Sequence, residues 1–227
     1  MRAVLWDMDG TLVDSEKLWD IAMHALYDRL GGVLTSEVRA ATVGGSADNT
    51  MRIVYADLGL PPEPAEMAAT ADWLHDYTAK LFDQGLPWCD GARELLEALA
   101  VAGIPMALVT NTRRPLVERA LNTIGHQYFS AVVCGDEVAH GKPAPDPYLR
   151  AASLLGETAA NCLAIEDSPT GAASAQRAGC PVLVVPNDVD VPHGPRRRQL
   201  RSLVGFGVTE LRAVYAELNE AQYVQSA

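Results

Sequence analysis

The sequence predicts an α/β fold: a parallel sheet layered by helices and interrupted once by an all-helical block. Three observations lead there. Short apolar runs at Ala3–Trp6, Pro105–Thr110, Ala131–Cys134, Cys162–Ile165 and Val182–Val185 each end at a polar or turn-forming break, as buried strands do. Helical patterns separate the later runs, and strands alternating with helices imply βαβ units and a parallel sheet. Residues 15–85, by contrast, carry helical spacing with no strand among them.

In chain order, Ala3–Trp6 is the first strand, broken at Asp7-Met8-Asp9-Gly10-Thr11. Asp14 and Ser15 offer N-cap side chains for a helix with Leu18, Ile21, Ala22, Ala25 and Leu26 on one face, ended by Gly31-Gly32. A short helical piece at Glu37–Ala41 leads into a loop at Thr42–Ser46. Met51, Val54, Tyr55 and Leu58 mark a second amphipathic helix, stopped by Gly59 and Pro61-Pro62. From Pro64 a long helix runs to Gln84, with Met67, Ala71, Leu74, Thr78 and Leu81 roughly on one face, and Gly85-Leu86-Pro87 breaks it. The expected division is a core of residues 1–14 and 86–227 with a helical insertion at 15–85. Core helices are expected around Leu95–Ala102, from Pro115 to Ile124, from Asp146 to Leu155 and over Gly171–Ala178. Beyond Pro192–Arg198, Leu203–Phe206 is expected as a short extra strand and Thr209–Leu218 as the last helix.

Composition narrows the partners. At 227 residues, 48% apolar and 21% charged, the chain can bury a substantial core in one domain or in one domain with an insertion. The net charge of −11 argues against nucleic acid or an anionic membrane, which need a basic surface. Any anionic substrate must meet positive charge concentrated locally. Cys89, Cys134, Cys162 and Cys180 are widely spaced and fit reduced core thiols rather than a disulfide framework or zinc site. No run is long and apolar enough to span a membrane, and no cleavable apolar leader is visible. The expectation is a cytoplasmic monomer acting on a small molecule.

The chemistry gathers at the strand ends, where open parallel sheets bind ligands. Asp7 and Asp9 follow the first strand, Thr110 and Asn111 the second, Lys142 lies in the loop after the third, and Glu166-Asp167-Ser168 follow the fourth. Two carboxylates at i and i+2 of an extended segment point to the same side and repel unless a cation sits between them. A hard cation such as Mg2+ removes that conflict. Asp7 can also act as a covalent nucleophile on phosphorus. Asp9 can protonate a leaving oxygen and then activate water. Thr110 and Asn111 can donate to phosphate oxygens, Lys142 can neutralise charge, and Asp167 can complete a Mg2+ site. The plain alternative makes Asp9-Gly10 a turn and Asp7 a cap.

Four segments carry a resemblance: Asp7-Met8-Asp9-Gly10-Thr11-Leu12, Thr110-Asn111, Gly141-Lys142-Pro143-Ala144-Pro145-Asp146 and Glu166-Asp167-Ser168-Pro169-Thr170-Gly171. In order, they resemble the motifs of the haloacid dehalogenase-like hydrolase superfamily over about residues 3–186. The helical insertion resembles the C1 cap of its subfamily I. The resemblance implies a Rossmann-like doubly wound core, a mobile helical lid and Mg2+-dependent chemistry through an aspartyl-phosphate. It further implies Mg2+ on the side chains of Asp7 and Asp167 and on the Asp9 carbonyl, with Glu166 a ligand or a partner behind the ligands. The group resembled most, the β-phosphoglucomutase-like proteins, contains mutases and sugar-phosphate phosphatases. Its mutases place an Arg where this chain has Ala47 and a His where it has Trp19. Both departures favour hydrolysis of a sugar phosphate over the mutase alternative, and over a non-catalytic binding protein that would have no use for Asp9.

Other residues have plainer readings. Asp146 reads as an N-cap, Asp136 and Glu137 as solvated residues near the site edge, and Arg196-Arg197-Arg198 as a solvated face. Trp19 either packs or walls the substrate pocket. His24, His75, His126, His140 and His193 show no ligand spacing and are assigned no chemistry.

Overall fold

The computed structural model describes residues 1–187 and 189–224, with side chains through Glu220. Among these residues one sheet of six parallel strands runs in the order β3-β2-β1-β4-β5-β6. In chain order the elements are β1 (Ala3–Trp6), α1 (Glu16–Leu30), α2 (Ser36–Thr42), α3 (Ala47–Asp57), α4 (Pro64–Phe82), α5 (Ala92–Val101) and β2 (Met106–Val109). Then come α6 (Arg114–Ile124), β3 (Ala131–Val133), α7 (Asp146–Leu154), β4 (Cys162–Glu166), α8 (Pro169–Ala178), β5 (Val182–Val184), β6 (Arg197–Gln199) and α9 (Val208–Val224).

Strands β1 and β2 are apolar at every position, and β4 at all but its last, Glu166, because both sheet faces are covered. Val4 and Trp6 of β1 face one cluster with Leu95 and Leu99 of α5, Leu116 and Leu121 of α6 and Leu211 of α9. Ala3 and Leu5 face the other, with Tyr148 and Ala151 of α7 and Ala172 and Ala175 of α8. Each fully buried leucine or valine contributes about 2 kcal/mol by leaving water. Alternate faces of one strand thus hold helices on both sides, and the sheet is doubly wound. Helices α1–α4 form a third cluster around Leu26, Tyr27, Met51, Val54 and Leu74. No strand lies among them, in line with the helical pattern of 15–85.

The C-terminal part differs from expectation. The extra strand is Arg197–Gln199, an edge strand on β5, and not Leu203–Phe206. Leu203 is buried in the core as an irregular segment. An edge strand exposes one margin and needs no apolar run, so an arginine-rich stretch can supply it. Arg196 and Arg198 are engaged too, Arg196 with the Gly179 carbonyl and Asn219 and Arg198 with Glu217. The last helix is longer than expected, reaching Val224.

Candidate active site

Strand register brings the site together. Trp6 of β1 lies beside Leu108 of β2 and Ile165 of β4. One residue further on, Asp7, Val109 and Glu166 are level, and the next step brings Thr110 and Asp167, both buried, to the carboxyl edge. Asp7 stays tied to β4 through its backbone N–H and the Ile165 carbonyl, 3.0 Å. The chain then turns at Gly10, whose φ of 79° is in the left-handed region. A β-carbon there would sit 2.1 Å from Asp167 Oδ2, so the loop can pass this close only without one.

Lys142 is the hub. Its Nζ donates to Asp7 Oδ1 at 2.5 Å and to Glu166 Oε1 at 2.6 Å, and all three side chains are buried. Glu166 also accepts from Tyr148 Oη at 2.5 Å and from Ser168 Oγ at 3.3 Å. Thr11 Oγ1 donates to the other Asp7 oxygen at 3.1 Å. Asn111 clamps the Lys142 loop: its Oδ1 accepts from the Lys142 backbone N–H at 2.7 Å, and its Nδ2 donates to the Lys142 carbonyl at 3.1 Å. The same Nδ2 donates to the Gly44 carbonyl of the α2–α3 loop at 2.8 Å. The Asn111 side chain, expected to face phosphate, is therefore engaged in positioning, which leaves its backbone N–H for an anion.

Asp9 sits across the cavity. Ser15 Oγ at 2.6 Å and Trp19 Nε1 at 3.1 Å donate to one of its oxygens, and Thr112 Oγ1 at 2.8 Å and Thr110 Oγ1 at 3.3 Å donate to the other. Ser15 occupies the N-cap position of α1 without capping it, because its hydroxyl serves Asp9 instead. Three of the four partners are hydroxyls, which can turn to accept when Asp9 carries a proton.

Asp7, Asp9, Glu166 and Asp167 face a single ammonium, Lys142. Burial, then Glu166, push the Asp7 carboxyl up to about 8 despite Lys142 beside it. Burial and the same carboxylates raise Asp167 well above its usual range. Burial alone would lower Lys142, but Asp7 and Glu166 outweigh it and hold the ammonium above the usual lysine value. Oxygens of Asp7, Glu166 and Asp167 all lie within 4.8 Å of one another. An excess of buried negative charge around closely set oxygens suits a hard divalent cation. The Asp9 carbonyl, which accepts no hydrogen bond from the described residues, adds a further oxygen. Glu166 already takes three donors, so Asp7 and Asp167 are the carboxylates open to an ion.

The inserted helices roof this site. Trp19 lines the cavity and also packs edge-on against His75 and Phe82. Arg113 bridges to Asp72 of α4 at 2.8 Å, and Arg119 pairs with Asp83. Several lining or supporting residues are given no site role by the sequence: Thr112, Tyr148, the Glu16–Arg39 pair and His75, a histidine assigned no chemistry there. Thr112 lies two residues beyond Thr110 in the same loop, a proximity that sequence alone offers as a signal. Glu16 and Arg39 stand 23 positions apart in separate helices, and nothing local marks them. Asp146 begins α7 but does not cap it, that position being held by Pro145.

The profile of the haloacid dehalogenase-like hydrolases matches residues 1–179. Hexitol phosphatase A of Escherichia coli (strain K12) is 34% identical over 195 residues, covering 84% of this chain and 86% of that protein. Phosphoglycolate phosphatase of Yersinia pestis is 32% identical over 185 residues, covering 81% and 80%. Among solved structures, CbbY from Rhodobacter sphaeroides in complex with phosphate superposes with a TM-score of 0.81 at 27% identity, over 93% of this chain and 99% of that one.

Proposed function

The chain belongs to the haloacid dehalogenase-like hydrolases and is a phosphatase of a small phosphorylated metabolite; from that premise we propose that Asp7 carries the phosphoryl group and that the substrate is a sugar phosphate. The observation that carries the mechanism is Lys142 held between Asp7 and Glu166, with Asp167 alongside and Asp9 opposite. An Asp7 oxygen attacks phosphorus in line, and the bond to the leaving oxygen breaks as Asp9 gives that oxygen its proton. Asp9 then takes a proton from water as the water oxygen attacks the same phosphorus, which frees phosphate and restores Asp7. Lys142 and the backbone N–H of Asn111 hold the equatorial oxygens, the Thr110 N–H being committed to the Val133 carbonyl. Glu166, with Tyr148 and Ser168, fixes Lys142 in place.

Asp7, Asp167 and the Asp9 carbonyl would hold Mg2+, which when bound neutralises charge on the carboxylates and on the phosphoryl oxygens. We read residues 15–85 as a lid on the core 1–14 and 86–227, hinged near Asp14-Ser15 and Gly85-Leu86-Pro87. Asn111 to Gly44 and Arg113 to Asp72 support that reading, since they join the roof to the floor of the site and would exclude bulk water in the closed state. The expected outcome of Asp7→Asn, or of EDTA on the wild type, is loss of phosphate release from phosphate monoesters. Full activity in either case refutes the mechanism.

A further inference from the structure

The relatives above act on chemically different leaving groups, an uncharged polyol in one and a carboxylate-bearing glycolate in another. The roof of this cavity discriminates between them. Met23, Met51, Ala71 and Leu74 make its walls apolar. Its one cation is Arg39, and that guanidinium is already tied to Glu16 at 2.6 Å and to Asp20 at 3.3 Å. A carboxylate or second phosphate on the leaving group would compete with those carboxylates for one guanidinium.

Two uncharged polar groups remain. The Thr50 hydroxyl and the His75 imidazole line the cavity, and neither makes a hydrogen bond to the described residues. His75 Nδ1 is enclosed without a partner. A bare lone pair is the less costly state for an enclosed ring nitrogen, and it leaves the proton on Nε2. Burial and then the Arg113 guanidinium lower the ring to about 4, so it is neutral at neutral pH. Edge-on packing of Trp19, ring centroids 6.0 Å apart, holds the imidazole in place.

We propose that His75, with Thr50, is the specificity-determining pair of this enzyme, donating and accepting hydrogen bonds to hydroxyls of an uncharged polyhydroxylated leaving group. The proposal rests on the phosphatase reading and sharpens its substrate class: a monophosphate with no second anionic group. A neutral donor facing a hydroxyl gains a hydrogen bond, whereas a neutral pair facing a carboxylate leaves that charge without a counter-ion in an apolar roof.

The test compares kcat/KM for a hexose or hexitol monophosphate, for phosphoglycolate and for phenyl phosphate, the last having no hydroxyl to read. The wild type is expected to prefer the polyol monophosphate over phosphoglycolate by at least about tenfold, the scale of one lost hydrogen bond with an uncompensated charge. His75→Phe keeps a ring for Trp19 and removes the polar atoms. It should lower the polyol-to-phenyl phosphate ratio about tenfold, mainly through KM, and His75→Gln should recover part of it. A wild type that prefers phosphoglycolate, or a ratio unmoved in His75→Phe, overturns the proposal while phosphate release still supports the phosphatase. No release from any of the three esters overturns both. If His75→Phe fails to fold, the same ratio in His75→Gln carries the test, and a wild type that prefers phosphoglycolate still overturns the proposal without any variant.

Discussion

Replacing Asp7 with asparagine is expected to remove the activity and to strengthen the metal-free fold. Burial, with Glu166 next, holds the Asp7 carboxyl at about 8 against an ordinary 3.8. The unfolded chain loses this proton near 3.8 and the folded chain keeps it to about 8, so across that window the folded state binds more protons. Stability without metal therefore falls as pH rises from the lower value to the higher, and is flat beyond it. The full difference corresponds to about 6 kcal/mol. Asparagine cannot ionise and escapes this loss. It keeps one oxygen for Lys142 or Thr11 and forgoes a charge-assisted hydrogen bond of about 1.5–3 kcal/mol. The net expectation in EDTA at the top of the window is a variant about 3 kcal/mol more stable than the wild type, shrinking and then reversing toward the acid end. With a urea slope of about 3 kcal/mol/M for a chain this long, the unfolding midpoint rises by about 1 M. The assay is urea unfolding in EDTA across that pH range, beside phosphate release with Mg2+. A midpoint at or below the wild type at the alkaline end, or a gap that does not widen with pH, refutes the reasoning.

Gly10→Ala should fail on both counts, since its β-carbon would lie 2.1 Å from Asp167 Oδ2 on a left-handed backbone; activity should drop to background and thermal melting should show a loss of at least about 1 kcal/mol. Glu166→Gln takes the negative charge from beside Lys142 and, with its amide oxygen kept for Lys142 and Tyr148, an acceptor from Ser168, so kcat should fall about a hundredfold and urea unfolding should show about 3 kcal/mol lost. His75 takes a proton at 6.5 when unfolded but only at about 4 when folded, so this residue withdraws stability as pH falls through that interval, by about 3 kcal/mol in full. Urea curves of the wild type and His75→Phe should therefore converge or cross toward acid; a constant gap would refute a buried neutral imidazole.

Much of the site was legible along the chain. Strands of a parallel sheet all end at one edge, so polar residues after apolar runs must meet there, and Asp7, Asp9, Thr110, Lys142 and Asp167 do line one cavity. Glu166 was legible as a site residue; that three donors close it off behind Lys142 was not. The orientation of Asn111 was not legible either, because its partners Gly44 and Lys142 come from two separate loops. The arginine run was misread for a different reason. Hydrophobic pattern finds strands that are covered on both faces, and Arg197–Gln199 is an edge strand held by backbone pairing to β5.

The α/β class, the helical insertion and the set of polar residues that meet at the strand ends were readable from the chain alone, since periodicity and strand-end position are local properties. The close packing around them was decided only in three dimensions. Ser15, Trp19, Thr110 and Thr112 converge on Asp9 from two distant segments, and Arg39 meets Glu16 across two helices. The roof's charge balance depends on those pairings: the same arginine unpaired would anchor an anion, and paired it leaves His75 and Thr50 to read hydroxyls. Local patterning records which side chains are available, whereas neutralisation and burial depend on which of them touch.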